Sequence, residues 1–188
     1  MKFFSYLERG KVVLGVTVKE SNKYVNVEKI SNGKLPNNFD EYLINFEFNN
    51  TILKEFINDI DFNLLEEINY ELIVSPLQNP KSFRDFYGFR KHVEAGRKNR
   101  GLDMIPEYDK IPVFYFSNHQ SITGPGEVKV QKQHLNKLDF ELEIGIIISK
   151  QIRNIKAKDA YKYVAGLTIL NDWSARAIQL EEMKLNLG

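Results

Sequence analysis

The stretch Leu138 to Ile148, LDFELEIGIII, constrains this chain more than any other. Phe140, Leu142, Ile144 and Ile146 to Ile148 are residues that a buried strand uses, yet Glu141 and Glu143 stand two positions apart among them. In a strand, residues i and i+2 share a face, with side chains roughly 7 Å apart. Both carboxylates then point the same way beside an apolar sheet, where they repel one another and resist desolvation. A bound divalent cation removes both costs at once. A strand with one wet face also carries glutamates at alternate positions. The unbroken isoleucine run after the pair argues instead for burial on both faces just beyond it, and for a site at the strand's end.

The rest of the composition narrows the cation. There is no cysteine, so a disulfide framework and a thiolate metal site are both excluded. With only 3 histidines, a metal site must be built mainly from oxygen, which selects a hard cation such as Mg²⁺, Mn²⁺ or Ca²⁺. The 26 Lys and Arg balance 25 Asp and Glu, for a net charge of +1, and no basic block exceeds residues 97–100. Nothing in that balance directs the chain to nucleic acid or to an anionic membrane. The first ten residues lack a run apolar enough for a signal peptide, and no stretch approaches a membrane span. The expectation is a soluble, cytoplasmic protein.

Along the chain, residues 1–72 read as a small α+β unit. Lys2 to Leu7, Lys11 to Val18 and Tyr24 to Ile30 carry strand-like mixtures of Val, Phe and Tyr between turn signals. A helical pattern follows from Asn38 to Ile60. A second unit, 73–188, opens at IVSPLQNPK. Ser82 is placed to cap a helix from Phe83 to about Lys98, ended by Gly101. Asp85 and His92, seven residues apart, would lie within roughly 20° of one another on that helix. Val113 to Phe116 and Val128 to Val130 read as short strands, and GlyProGly at 124–126 as a turn. Lys156 to Tyr161 reads as helical. Tyr163 to Leu170 reads as a second buried strand ending in Asn171-Asp172, before a helix from Trp173 to Met183, which puts a third carboxylate at a strand end.

The ordered set Asp85-Phe86-Tyr87, Arg90-Lys91-His92, IPVFY at 111–115, GPG at 124–126, ELE at 141–143 and NDWSAR at 171–176 with Gln179 closely resembles the fumarylacetoacetate hydrolase family. The resemblance runs from about Phe83 to Gly188 and leaves the N-terminal unit outside it. It implies an α+β architecture in which a mixed β-sheet is rolled into a barrel-like sandwich, preceded here by the small N-terminal unit. It implies metal ligands at Asp85, Glu141, Glu143 and Asp172, holding Mg²⁺ or Ca²⁺, with Mn²⁺ as a substitute. It implies a general base at His92, substrate contacts at Tyr87, Tyr115 and Gln179, and a carboxylate-binding arginine at Arg97 or Arg100, between which the spacing does not choose.

The implied activity is metal-dependent hydrolysis of a carbon–carbon bond in a 1,3-diketo acid of the acylpyruvate type. A cation stabilises the enolate that is left, and a His92-activated water attacks the other carbonyl. The same platform serves decarboxylation, isomerisation and dehydration of 2-oxo acids elsewhere in the family. The resemblance further implies a homodimer. The segment EEMKLNLG stands where family members lead into a lysine-bearing turn, so the expectation is an incomplete catalytic portion: a fragment, or a split subunit needing a complementing chain. Met183 falls where the hydrolase that gives the family its name has a tyrosine near its substrate, which argues against that same substrate.

Overall fold

The computed structural model describes residues 1–19 and 21–185. The chain begins with three antiparallel strands: β1 (Phe3–Glu8), β2 (Lys11–Thr17) and β3 (Lys23–Asn26). The β1–β2 turn is made by Arg9 and Gly10 at φ 50° and 77°, the two positive values that a tight twisted hairpin requires. Where the sequence suggests strand as far as Ile30, the chain turns at Asn26. Its side-chain oxygen accepts from the Lys29 amide at 3.0 Å and starts the short helix α1 (Val27–Ile30).

The helical pattern from Asn38 to Ile60 is two helices rather than one, α2 (Phe39–Ile44) and α3 (Phe46–Asn58). Asn38 caps α2 by accepting from the Glu41 amide at 2.9 Å. The break falls at Asn45, and the buried Asn49 amide satisfies the Tyr42 carbonyl there at 2.8 Å. Two short strands, β4 (Glu66–Glu67) and β5 (Ile73–Val74), complete a five-stranded sheet in the order β4-β3-β2-β1-β5.

Alternation sorts this sheet into two faces. Leu14, Val16 and Val25 are buried on one of them, where Phe3 stacks on Phe39 and packs against Tyr42 with ring centroids 5.4 and 5.3 Å away. Tyr6, Val13 and Tyr24 form a second buried cluster on the other face with Phe4 and Ile68. Phe4 lies directly over Gly15, the residue opposite it in the register.

The remaining elements are β6 (Phe83–Phe86), α4 (Arg90–Asn99), β7 (Phe114–Ser117), β8 (Leu138–Ile148), β9 (Val164–Ala175) and α5 (Arg176–Glu182). The described structure divides into two compact units, residues 1–76 with 125–188 and residues 77–124. β6 pairs with β7, and β8 with β9, each as a two-stranded antiparallel sheet.

Three expectations are corrected here. Phe83 to Phe86 is strand, not helix: its alternating Phe, Arg, Asp and Phe pair with Ser117 to Phe114, and Gly88 separates it from α4. Asp85 and His92 therefore do not share a helix face. Val128 to Val130 has no strand pairing. The second long strand runs to Ala175, so Asp172 lies within β9 and the helix begins only at Arg176. No helix among the described residues is long and apolar enough to cross a membrane.

Candidate active site

The β8–β9 ribbon carries the acidic half of the site. Its register sets Glu141 opposite Asp172, Glu143 opposite Leu170 and Asp139 opposite Ser174. Residues directly opposite share a face, so Asp139, Glu141, Glu143 and Asp172 all line one side of the ribbon. A carboxylate oxygen of Glu143 and one of Asp172 lie within 4.8 Å of each other. Two ligands of one hard cation, each about 2.3–2.6 Å from it, can stand up to about 5 Å apart. The donor set is oxygen only, as such a cation prefers.

Glu141 is turned to Arg176, the first residue of α5, whose Nη2 donates to Glu141 Oε1 at 2.7 Å. The same guanidinium reaches Asp139 Oδ2 through Nε at 3.1 Å and Gln179 Oε1 through Nη1 at 3.0 Å. Its own backbone N–H donates to the Lys137 carbonyl at 3.1 Å, which ties the start of α5 to the start of β8. Glu141 first, then Asp139, hold the guanidinium pKa above its already high range. The Phe140 backbone N–H, with Arg176 second, draws the Asp139 carboxyl below the ordinary carboxylate value.

Arg176 is not among the site residues that the sequence pattern and the family resemblance name. The signal for it was present: it is the last letter of NDWSAR, three residues before Gln179 and thus one helical turn from it.

The opposite face of the ribbon is apolar and open. Phe140, Leu142, Ile144, Ile146, Ile148, Leu167, Ile169 and Trp173 are 46–79 % exposed, and Phe140 packs against Trp173 at 5.7 Å. Burial of both faces beyond the glutamate pair, expected from the isoleucine run, is not what the described structure has.

The unit 77–124 carries the other candidate residues. Asp85 on β6 faces Tyr115 on β7, and the tyrosine hydroxyl donates to Asp85 Oδ2 at 2.5 Å. Tyr87 follows β6, its carbonyl accepting from the Tyr108 hydroxyl at 2.7 Å. Arg90 binds both Asp109 oxygens at 3.2 and 3.1 Å and also pairs with Glu94, fixing the segment after α4 to its first turn. Phe86, Tyr87, Tyr108, Ile111, Pro112 and Val113 line an open hollow of about 210 Å³. His92 sits in the first turn of α4 and is exposed. Arg97 Nε donates to the Asp103 carbonyl, and Arg100 Nε to the Gly96 carbonyl at 3.1 Å.

Comparison with known proteins gives a consistent family. The family model described as fumarylacetoacetate (FAA) hydrolase C-terminal matches residues 81–188. Oxaloacetate tautomerase YisK of Bacillus subtilis is 34% identical over 85 residues, covering 45% of this chain and 27% of that protein. The homoprotocatechuate catabolism bifunctional isomerase/decarboxylase of Escherichia coli is 32% identical over 65 residues, covering 35% and 15%.

Among solved structures, the fumarylacetoacetate hydrolase of psychrophilic Exiguobacterium antarcticum superposes with a TM-score of 0.63 at 21% identity, covering 97% of this chain and 59% of that one. The matched stretches span less than half the length of the curated relatives. With more than half of its residues matched by the family model, the chain belongs to the fumarylacetoacetate hydrolase family.

Proposed function

We propose that this chain is the metal-binding portion of an enzyme that cleaves a carbon–carbon bond of a 1,3-diketo acid by hydrolysis. The observation that carries the reading is the acidic face of β8–β9, where Glu143 and Asp172 approach closely enough to share one hard cation. Asp85, Glu141, Glu143 and Asp172 are the proposed ligands, for Mg²⁺ or Ca²⁺. When bound, the cation supplies positive charge against which an enolate is stabilised.

His92 removes a proton from the attacking water, a task that suits an imidazole at neutral pH. Tyr87 and Tyr115 flank the substrate, and Arg97 or Arg100 binds its carboxylate. A guanidinium only donates hydrogen bonds, so Gln179 must present its amide oxygen to Arg176. Its N–H end is then the one it offers a substrate oxygen. Residues 73–188 would form the catalytic portion, as a barrel-like roll, with 1–72 as an accessory unit in a cytoplasmic homodimer. The apolar face of β8–β9 supports a complementing polypeptide, since contiguous exposed apolar surface of that extent marks an interaction site.

A second reading is tautomerisation, isomerisation or decarboxylation of a 2-oxo acid, favoured by the activities named for the two sequence relatives. Both readings pass through an enolate and part at the final bond. The test is to incubate the protein with Mg²⁺ and either an acylpyruvate or oxaloacetate and to identify products by proton NMR. Hydrolysis predicts pyruvate plus a carboxylic acid, lost in His92→Ala while Mn²⁺ binding is kept. Enol–keto exchange or CO₂ release without water addition supports the second reading, and full activity of His92→Ala removes the base from the first.

A further inference from the structure

The hollow of about 210 Å³ in the unit 77–124 lies between the segment that leaves β6 at Phe86 and the segment that enters β7 through Val113. Hydrogen bonds fix the spacing of these walls. The Tyr87 N–H donates to the Val113 carbonyl at 3.1 Å, which carries the strand pairing one residue beyond Phe86 and Phe114. The Tyr108 hydroxyl donates to the Tyr87 carbonyl at 2.7 Å and closes a third side. Arg90 grips both oxygens of Asp109, so the segment that carries Tyr108 is tied to α4.

The lining is uncharged. Phe86, Tyr87, Tyr108, Ile111, Pro112 and Val113 supply rings and branched chains, and Gly88 adds no side chain. The charged residues that neighbour them along the chain pair with one another: Arg90 with Asp109 and Glu94, Lys110 with Glu107. Such a surface rewards apolar area and offers an anion no partner. An apolar cavity of about 150 Å³ is large enough to take up benzene, so a phenyl ring or a branched alkyl group fits this one. Tyr87 joins the hollow to the proposed chemistry. It stands two residues after Asp85 on the same ladder, so the two side chains leave one face of the strand roughly 7 Å apart.

We propose that this hollow is the subsite for the acyl arm of the substrate, with Tyr108, Ile111 and Pro112 setting the preference, so that the diketo acid carries an aromatic or branched apolar acyl group and not a second carboxylate. The inference rests on the diketo-acid reading above and supplies the substrate class which that reading leaves open.

The probes are 2-oxobutanoate itself and the same acid with phenyl or carboxylate on its terminal carbon. Each keeps the 2-oxo acid head and lacks the second carbonyl, so hydrolysis cleaves none of them and affinity is read apart from turnover. Dissociation constants are measured on the full chain with Mg²⁺ by ligand-observed NMR. The phenyl probe should bind about 3–10-fold tighter than 2-oxobutanoate, the return on burying about half of a phenyl ring, and the carboxylate probe no tighter. Ile111 is 59% exposed, so replacing it empties no core. Ile111→Glu should cancel the phenyl advantage and Ile111→Gln should reduce it; the probes share one head, so any repulsion of that head drops out of the ratio.

Equal affinity for the phenyl probe and 2-oxobutanoate, no binding of either, or a phenyl advantage kept in both variants overturns the subsite. Turnover is assayed separately on benzoylpyruvate and acetylpyruvate. Equal kcat/KM for pyruvate release from the two overturns the subsite and leaves the hydrolase reading. A phenyl advantage in binding with no carbon–carbon cleavage of either leaves the subsite and overturns the hydrolase reading.

Discussion

Replacing Gly15 by alanine tests how the N-terminal sheet is packed. A Cβ at Gly15 would stand 2.7 Å from Phe4 Cζ and 3.0 Å from both Cε atoms. Carbon contacts settle at about 3.5–4.0 Å, so the ring must retreat by roughly 1 Å. It has little room to do so. Its centroid is 5.5 Å from that of Tyr6 and 5.1 Å from that of Tyr24, and those two rings pack edge to face at 5.1 Å.

Overpacking of this kind costs about 1–3 kcal/mol. Alanine recovers about 0.5–1 kcal/mol of the backbone entropy that glycine forfeits in a strand, and Gly15 has no positive φ to oppose it. The net expectation is a loss of about 1–2 kcal/mol, read as a lower urea midpoint by far-UV circular dichroism at an unchanged slope. In a Phe4→Ala background the same substitution should be neutral or stabilising by about 0.5 kcal/mol. An unchanged or higher midpoint for Gly15→Ala alone, or the same loss with Phe4 absent, would refute the reasoning.

Two further outcomes follow from the same structure. Burial raises the phenol pKa of Tyr24, with Tyr6 and Glu66 adding to it, and burial alone raises that of Tyr42. A folded pKa above the unfolded value near 10 contributes stability that is fully present below pH 10 and lost as pH rises through the folded pKa. The five-stranded sheet should therefore unfold progressively above pH 10, and Tyr24→Phe and Tyr42→Phe should shift that loss upward when circular dichroism is followed against pH. Lysine at Ile144 and Ile169, which are 61% and 79% exposed and opposite one another on β8–β9, should reduce binding of a hydrophobic dye and raise solubility with little change in unfolding midpoint. A loss of several kcal/mol would show that this face is packed in solution.

Strand β8 is legible because alternation and residue type agree from Leu138 to Ile146, with only the isoleucine run at its end breaking the pattern. What failed was the inference from apolar to buried: Ile144, Ile146 and Ile148 are exposed, and sequence pattern alone does not say what covers a face. FRDF at 83–86 reads as helix in the sequence because Ser82 and the later helical spacing imitate a helix start. The pairing with Phe114 to Ser117 that makes it a strand is a contact about 30 residues away. β9 is legible in the sequence only as far as Leu170, because Asn171 and Asp172 resemble a turn, whereas the cross-strand partners Leu142 and Glu141 keep both in register. The acidic positions could be named from the sequence. The hold of Arg176 on Asp139 and Glu141 could not, because it depends on how α5 departs from the end of β9.

The most direct test of the proposed metal site is the affinity of this chain for Mn²⁺ in the presence and absence of Asp172, followed by electron paramagnetic resonance. The expected result is saturable binding by the wild type that weakens by at least about tenfold in Asp172→Asn and in Glu143→Gln, and that Mg²⁺ displaces. Equal affinity of both variants and the wild type, or no saturable binding by any of them, would contradict a cation held on the acidic face of β8–β9.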